Sequence, residues 1–152
     1  MNRSRLFFPA LLSALLFTAP AFAQQVIKIA TLAPDGSAWM RELRKAAAEV
    51  QAGSQGRVQV KFYPGGVMGS DTVVLRKMRL GQLQGGVLTS SELGQVYPDA
   101  AIYSLPFLFD SWTQLDKTRP LIDPLLAKGF EAKGMKMLAV SKSLEQFEST
   151  HD

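Results

Sequence analysis

Val26-Ile27-Lys28-Ile29-Ala30-Thr31, Leu32-Ala33-Pro34-Asp35-Gly36-Ser37, a helical run to Ala52, Val58-Gln59-Val60-Lys61-Phe62-Tyr63 and Pro64-Gly65-Gly66-Val67-Met68-Gly69-Ser70-Asp71 together decide the fold. They read as a strand, a crossover helix and a returning strand, with Pro and Gly at the joints. Two parallel strands joined through a helix place both following loops on one rim, the carboxyl ends of the strands, where open α/β sheets bind ligands. The loops Leu32–Ser37 and Pro64–Ser70 are therefore expected side by side.

Working outward, the first helix carries Trp39, Leu43, Ala46, Ala47 and Val50 at spacings of three and four, which predicts one buried stripe. Ser37 is placed to cap it, and the segment Gly53–Gly56 turns the chain into the second strand. Ser70 is the expected cap of a second helix, with Asp71 at its positive end, Val74, Leu75 and Met78 on its apolar face and Gly81 at its stop. Arg76, Lys77 and Arg79 on that helix read as a solvated face. Gly85–Thr89 predicts a third strand, with Ser90, Ser91 and Glu92 at its carboxyl end.

Ala101–Phe109 is apolar without a period and is interrupted by Pro106, which predicts a buried irregular segment. Ser111 is the expected cap of a short helix with Trp112 and Leu115, and Trp39 and Trp112 are both expected in the core. Asp123-Pro124 reads as the cap and first position of a separate helix that buries Leu125, Leu126 and Phe130 and closes at Gly134. Met135–Val140 predicts a fourth strand. Strands alternating with helices make a parallel or mixed α/β sheet flanked by helices.

The first 23 residues read as a secretory signal peptide: Arg3 and Arg5, an apolar run from Leu6 to Phe17, and Ala21-Phe22-Ala23 as the cleavage site, with cleavage after Ala23. That implies export and no stable membrane insertion afterwards, because Pro9, Pro20 and the short apolar run fall below the ~20 residues of a spanning helix. Two of the 17 Lys and Arg residues lie in this segment, so the remainder sets 15 against 13 Asp and Glu, a charge of +2 with His neutral. The high isoelectric point is thus no argument for nucleic acid. The absence of cysteine excludes disulfides and thiolate metal sites, and about 129 remaining residues suffice for one domain of ordinary size.

Taken together, Ile27–Trp39, Gly56-Arg57-Val58 through Phe62–Gly66 to Gly69-Ser70-Asp71, and Leu105-Pro106-Phe107-Leu108-Phe109 resemble the solute-binding subunit of tripartite ATP-independent periplasmic (TRAP) transporters, the DctP family. The resemblance covers Val26 to Val140. It implies a periplasmic binding protein-like α/β lobe, residues 24–140, belonging to a two-lobed protein that captures a small organic acid and delivers it to a membrane permease. It implies no cofactor. Such proteins have two lobes, and this chain has the length of one. Ser141–Asp152 matches no family segment, so the sequence predicts a chain truncated to its first lobe, with the second lobe missing. The arginine that the resemblance assigns to a bidentate pairing with the ligand carboxylate is expected beyond Val140, and no position here inherits it. A truncated product without ligand binding, arising near residue 141, is the alternative.

What carries over is the rim of the first lobe. Thr31, Pro34, Asp35, Ser37, Gly69, Ser70, Asp71, Thr89, Ser90 and Ser91 are the expected ligand-binding residues, offering hydroxyls and helix amino ends that suit an anion. Capping accounts for Ser37 and Ser70 equally well, and turn or first-turn chemistry accounts for Asp35 and Asp71. Gly65, Gly66 and Gly69 form turns and are no dinucleotide fingerprint, because the first strand does not run into a glycine-rich turn. An exported enzyme is the competing class. The only histidine is His151, next to the end, so Ser-His-Asp, Cys-His and zinc chemistry have no residues to work with, and no pair of carboxylates is marked out by spacing. No catalytic or metal-ligating residue is assigned.

Overall fold

The computed structural model describes residues 24–141; residues 1–23, where the sequence predicts a signal peptide, the tail from residue 142 onward and His151 lie outside the described residues. Strands β1 (Gln25–Thr31), β2 (Val58–Tyr63) and β3 (Gly85–Val87) form one parallel sheet in the order β2-β1-β3. Gln25 pairs with Val58 and the register runs on to Ala30 with Tyr63, while Ile29, Ala30 and Thr31 pair with Gly85, Gly86 and Val87. The helices α1 (Ala38–Gly53), α2 (Asp71–Arg79), α3 (Ser90–Leu93) and α4 (Trp112–Glu131) follow, with a 3-10 helix at Pro98–Ser104. The expected strand–helix–strand unit is present, and the fold is α/β with a parallel sheet flanked by helices, as the sequence predicts.

Two hydrophobic clusters form the core, and α2 belongs to both. Val74 packs with Ala30 and Leu83 against the sheet, whereas Leu75 packs with Val96, Ala100, Leu126 and Phe130 toward α4. Adjacent residues on a helix point about 100° apart, so one short helix can wedge between the sheet and α4. Each fully buried side chain of this kind contributes about 1.5–3 kcal/mol.

Several expectations are corrected. α1 packs chiefly against the edge strand β2, so only Met40 is fully buried, while Val50 and Trp39, the latter 42% exposed, lie on its open margin. Trp112 is partly buried. The segment Met135–Val140 is no fourth strand: Met135 and Met137 pack onto the α4 cluster, and the Val140 carbonyl accepts from the Arg119 guanidinium at 2.6 Å. The two helices expected around Asp123-Pro124 are one. Pro120 and Pro124 sit four residues apart on an exposed face of α4, where water can satisfy the carbonyls that their missing N–H groups leave, and buried Leu115, Leu126 and Phe130 hold the helix together. Leu125 faces solvent. The segment Ala101–Phe109 is not uniformly buried. Ile102 and Tyr103 pack on the core, but Phe107 takes a φ of +60° after Pro106 and is 87% exposed. β3 ends at Val87, and Ser90 opens a helix that the sequence reading did not anticipate.

Gly129, inside α4, shows why a poor helix former stands there. The Tyr97 ring fills the space that a Cβ at this position would need, and the same ring meets Phe130 edge-on at 6.0 Å between centroids. Alanine would raise helix propensity by about 1 kcal/mol but must displace the ring. We expect Gly129→Ala to lower stability by about 1–3 kcal/mol in urea unfolding; an unchanged or raised midpoint would show that Tyr97 does not pack there.

Candidate functional site

Because β1 is paired in parallel on both sides, the carboxyl ends of all three strands form one rim, and every predicted ligand residue lies at a strand end, on the loop that follows or in the first turn of the helix after that loop. The first two loops are joined as expected: Gly65 N–H donates to the Ala33 carbonyl at 2.9 Å and Gly66 N–H to the Thr31 carbonyl at 3.1 Å. Gly66 has φ +72°, and a Cβ there would press on the Leu32 side chain at 3.3 Å, so the close approach and the backbone both call for glycine. Lys77 reaches back from α2 to donate to the Met68 carbonyl at 2.9 Å and steadies the second loop. The sequence reading assigned Lys77 to the solvated cluster with Arg76 and Arg79; those two are exposed, whereas Lys77 turns in.

Most of the polar groups on the first loop are already engaged. Buried Thr31 accepts from the Ala33 N–H through Oγ1 at 3.1 Å, and the Pro34 carbonyl accepts from Ser37 N–H at 3.2 Å. Ser37 caps α1 by accepting from Met40 N–H at 3.3 Å. Asp35 is exposed but accepts from Gly36 N–H at 3.0 Å and pairs with Arg44 at 2.6 Å, while Arg41 donates to the Gly36 carbonyl at 2.9 Å. The sequence reading assigned Arg44 no role.

The second half of the rim is built around Asp71, the first residue of α2 and only 8% exposed. Its Oδ2 accepts from Thr89 N–H at 3.0 Å and from Thr89 Oγ1 at 3.1 Å, and Thr89 Oγ1 lies 3.3 Å from Ser91 Oγ. Thus Asp71, Thr89 and Ser91 are brought together, tying the loop after β2 to the loop after β3. Gly69 turns into α2 at φ +101°. Ser70 stands at the cap position of α2 without making the expected side-chain bond; its hydroxyl is exposed. Ser90 is half-buried at the start of α3. Among the described residues, Asp71 Oδ1 and Glu92 Oε1 are buried without a hydrogen-bond partner, and no group of three His, Cys, Asp or Glu side chains gathers as a metal site. An open groove of about 250 Å³ on the flank of α2, lined by Thr72, Val73, Leu75, Arg76, Arg79 and Gln95, contains none of the predicted ligand residues. No helix among the described residues is long and apolar enough to cross a membrane.

A parallel sheet whose strands all deliver polar loops to one rim is the architecture of one lobe of an α/β binding protein, and known proteins place the chain further. Residues 29–150 match the family described as bacterial extracellular solute-binding protein, family 7 (DctP), and the chain belongs to this family. The match includes residues 141–150, the stretch for which the sequence reading found no counterpart. A solute-binding protein of Roseobacter denitrificans is 28% identical over 105 residues, which are 68% of this chain and 32% of that protein. The crystal structure of a TRAP periplasmic solute-binding protein from Ochrobactrum anthropi superposes with a TM-score of 0.67 at 30% identity, covering 74% of this chain and 36% of that one. One from Polaromonas species JS666, bound to D-erythronate, gives 0.70 at 26% identity and covers 76% and 39%. The chain spans about a third of the length of these relatives. All three are solute-binding proteins.

The Arg44 hydrogen bond, with a smaller contribution from its charge and from Gly36 N–H, holds the Asp35 carboxyl below the 3.8 of an ordinary aspartate. A carboxyl lowered in the folded state stabilises above its unfolded pKa and loses that contribution as pH falls through the folded value. The Asp35–Arg44 link should therefore be intact at neutral pH and dissolve only below pH 3.8. A carbon-detected NMR titration should find the Asp35 midpoint under 3.8 and shifted upward in Arg44→Ala; equal midpoints in the two proteins would refute the pairing.

Proposed function

We propose that this chain supplies the first lobe of a periplasmic solute-binding subunit of a TRAP-type transporter, which captures a small organic acid and delivers it to membrane permease subunits. The observation that carries the reading is the rim itself. The hydrogen-bonded loops after β1 and β2 and the Asp71–Thr89–Ser91 cluster that ties the second of them to the loop after β3 gather hydroxyls, amides and the amino end of α2 at the carboxyl-end rim of the sheet. The ligand residues on this reading are Thr31, Pro34, Asp35, Ser37, Gly69, Ser70, Asp71, Thr89, Ser90 and Ser91. The extracellular family and its periplasmic relatives support export, with the segment 1–23 as a signal peptide removed after Ala23. The bound acid of the Polaromonas relative supports a carboxylate as ligand, and the solute-binding relatives support a binding rather than a catalytic role.

Among the described residues, the guanidinium groups beside the rim, Arg41 and Arg44, are already bonded to the Gly36 carbonyl and to Asp35. A carboxylate bound only by hydroxyls and amides lacks the bidentate, charge-assisted pairing that gives such sites their strength. For the 152-residue chain alone we therefore expect weak binding of D-erythronate and related acids, with a Kd of about 10 mM or weaker. At about 10 mM ligand the melting temperature should rise by no more than about 3 °C. Amide shifts in an NMR titration should be confined to the loops after β1, β2 and β3. Tight binding would contradict the account of the rim, shifts elsewhere would refute the assigned residues, and turnover of the acid would overturn the class.

A further inference from the structure

Thr89-Ser90-Ser91-Glu92 has the residue types of a capping box, in which a threonine at the cap accepts from the glutamate N–H and the glutamate carboxylate accepts from the threonine N–H. The box is not made. Thr89 stands at the cap of α3 without a side-chain cap bond, and its N–H and hydroxyl both donate to Asp71 Oδ2 at 3.0 and 3.1 Å. Glu92, three residues on, is left with a buried Oε1 that has no partner among the described residues, and Asp71 keeps a buried Oδ1 in the same condition. Burying a carboxylate oxygen without a donor costs free energy that native structures rarely leave uncompensated. By sequence position either carboxylate suits the one Thr89 amide, and the present arrangement leaves an oxygen on each without a partner among the described residues.

We propose that Thr89 is exchanged between Asp71 and Glu92. When Glu92 closes the capping box, Asp71 is released to the rim as a hydrogen-bond acceptor for the hydroxyl of a bound hydroxy acid. The exchange keeps the Thr89 amide satisfied, gives Glu92 a donor and turns the stranded Asp71 oxygen toward a ligand. A carboxylate without hydroxyls gains nothing from it, because Asp71 would repel its charge. The rim accordingly selects hydroxyl-bearing acids over plain dicarboxylates. This selection rests on the proposed ligand-binding role; the exchange itself does not.

Amide hydrogen exchange on the full chain, read by NMR at Thr89, tests the exchange. In Glu92→Ala the protection of Thr89 should be unchanged. In Asp71→Ser, which keeps a polar residue at the start of α2, it should fall less than about threefold, because Glu92 takes the amide over. In the double variant it should fall about tenfold or more beyond either single variant. An Asp71→Ser protein as unprotected at Thr89 as the double variant would overturn the exchange. Should the variants fail to fold, carbon-13 shifts of the Asp71 and Glu92 carboxyls in the wild-type chain decide it: addition of D-erythronate should move both. Succinate should move neither. If both acids move them alike, the hydroxyl selection is wrong; if D-erythronate moves only Asp71, the exchange is wrong. If neither acid perturbs any rim signal, the ligand-binding role fails, and the amide-exchange result in the double variant still decides the exchange.

Discussion

The backbone of β1 is hydrogen-bonded on both sides to strands that run in its own direction, and the rest of the molecule follows from that. A parallel neighbour cannot be reached by a tight hairpin, so each return needs a crossover long enough to carry a helix. α1 covers the return from β1 to β2 and α2 the return from β2 to β3. Since all three strands point the same way, every loop that leaves a carboxyl end arrives at one rim. The close packing there is enforced by backbone geometry at Gly65, Gly66 and Gly69, all at positive φ, where a side chain would strain the turn or, at Gly69, meet Val73.

The rim is not an addition to this core but the end of it. α2 carries Val74 into the cluster under β1 and Leu75 into the cluster against α4, and its first residue is Asp71. The buried carboxylate therefore sits on the element that joins the two clusters, and its bonds to Thr89 fix the loop after β3 relative to the loop after β2. Anything that moves Asp71 is felt at both loops and at the packing beneath them. A carboxylate on an exposed turn, such as Asp35, has no such leverage.

How much of this was legible in the sequence depends on how local the cause is. β1, β2, α1 and α2 are set by alternation, by the three-and-four spacing and by Gly and Pro at the joints, and these appear within a residue or two of their predicted bounds. The joining of the first two loops followed from parallel topology alone. Longer-range causes were not readable. Whether the α1 stripe is covered depends on the width of the sheet beneath it, and three strands leave Trp39 and Val50 open. Proline in α4 suggested two helices, yet both prolines fall on the solvent face, where the lost bonds cost least. Met135–Val140 has a strand's composition, but its alternate methionines are drawn onto α4. On the rim, the residue types were right for polar contact, while only the coordinates show that Ser37 and Asp35 are already engaged and that Asp71 is the buried hub.

α4 carries a further lesson about how the chain compensates for a weakened helix. Arg119 Nε pairs with Asp123 Oδ2 at 3.2 Å across Pro120, and Tyr103 donates its hydroxyl to the other oxygen of the same carboxylate. Arg119 also holds the Val140 carbonyl, so one group of side chains binds the 3-10 helix, the proline-containing turn of α4 and the segment Met135–Val140. Burial first, and then the bond to Asp123, raise the Tyr103 phenol above its ordinary range. A phenol raised in the folded state contributes its stability below the unfolded pKa of 10.0 and loses it only as pH climbs through the higher folded value, so this brace is intact across the neutral range. These side-chain bonds add to the burial of Leu115, Leu126 and Phe130, and together they hold a helix with two interior prolines as the outer wall of the core.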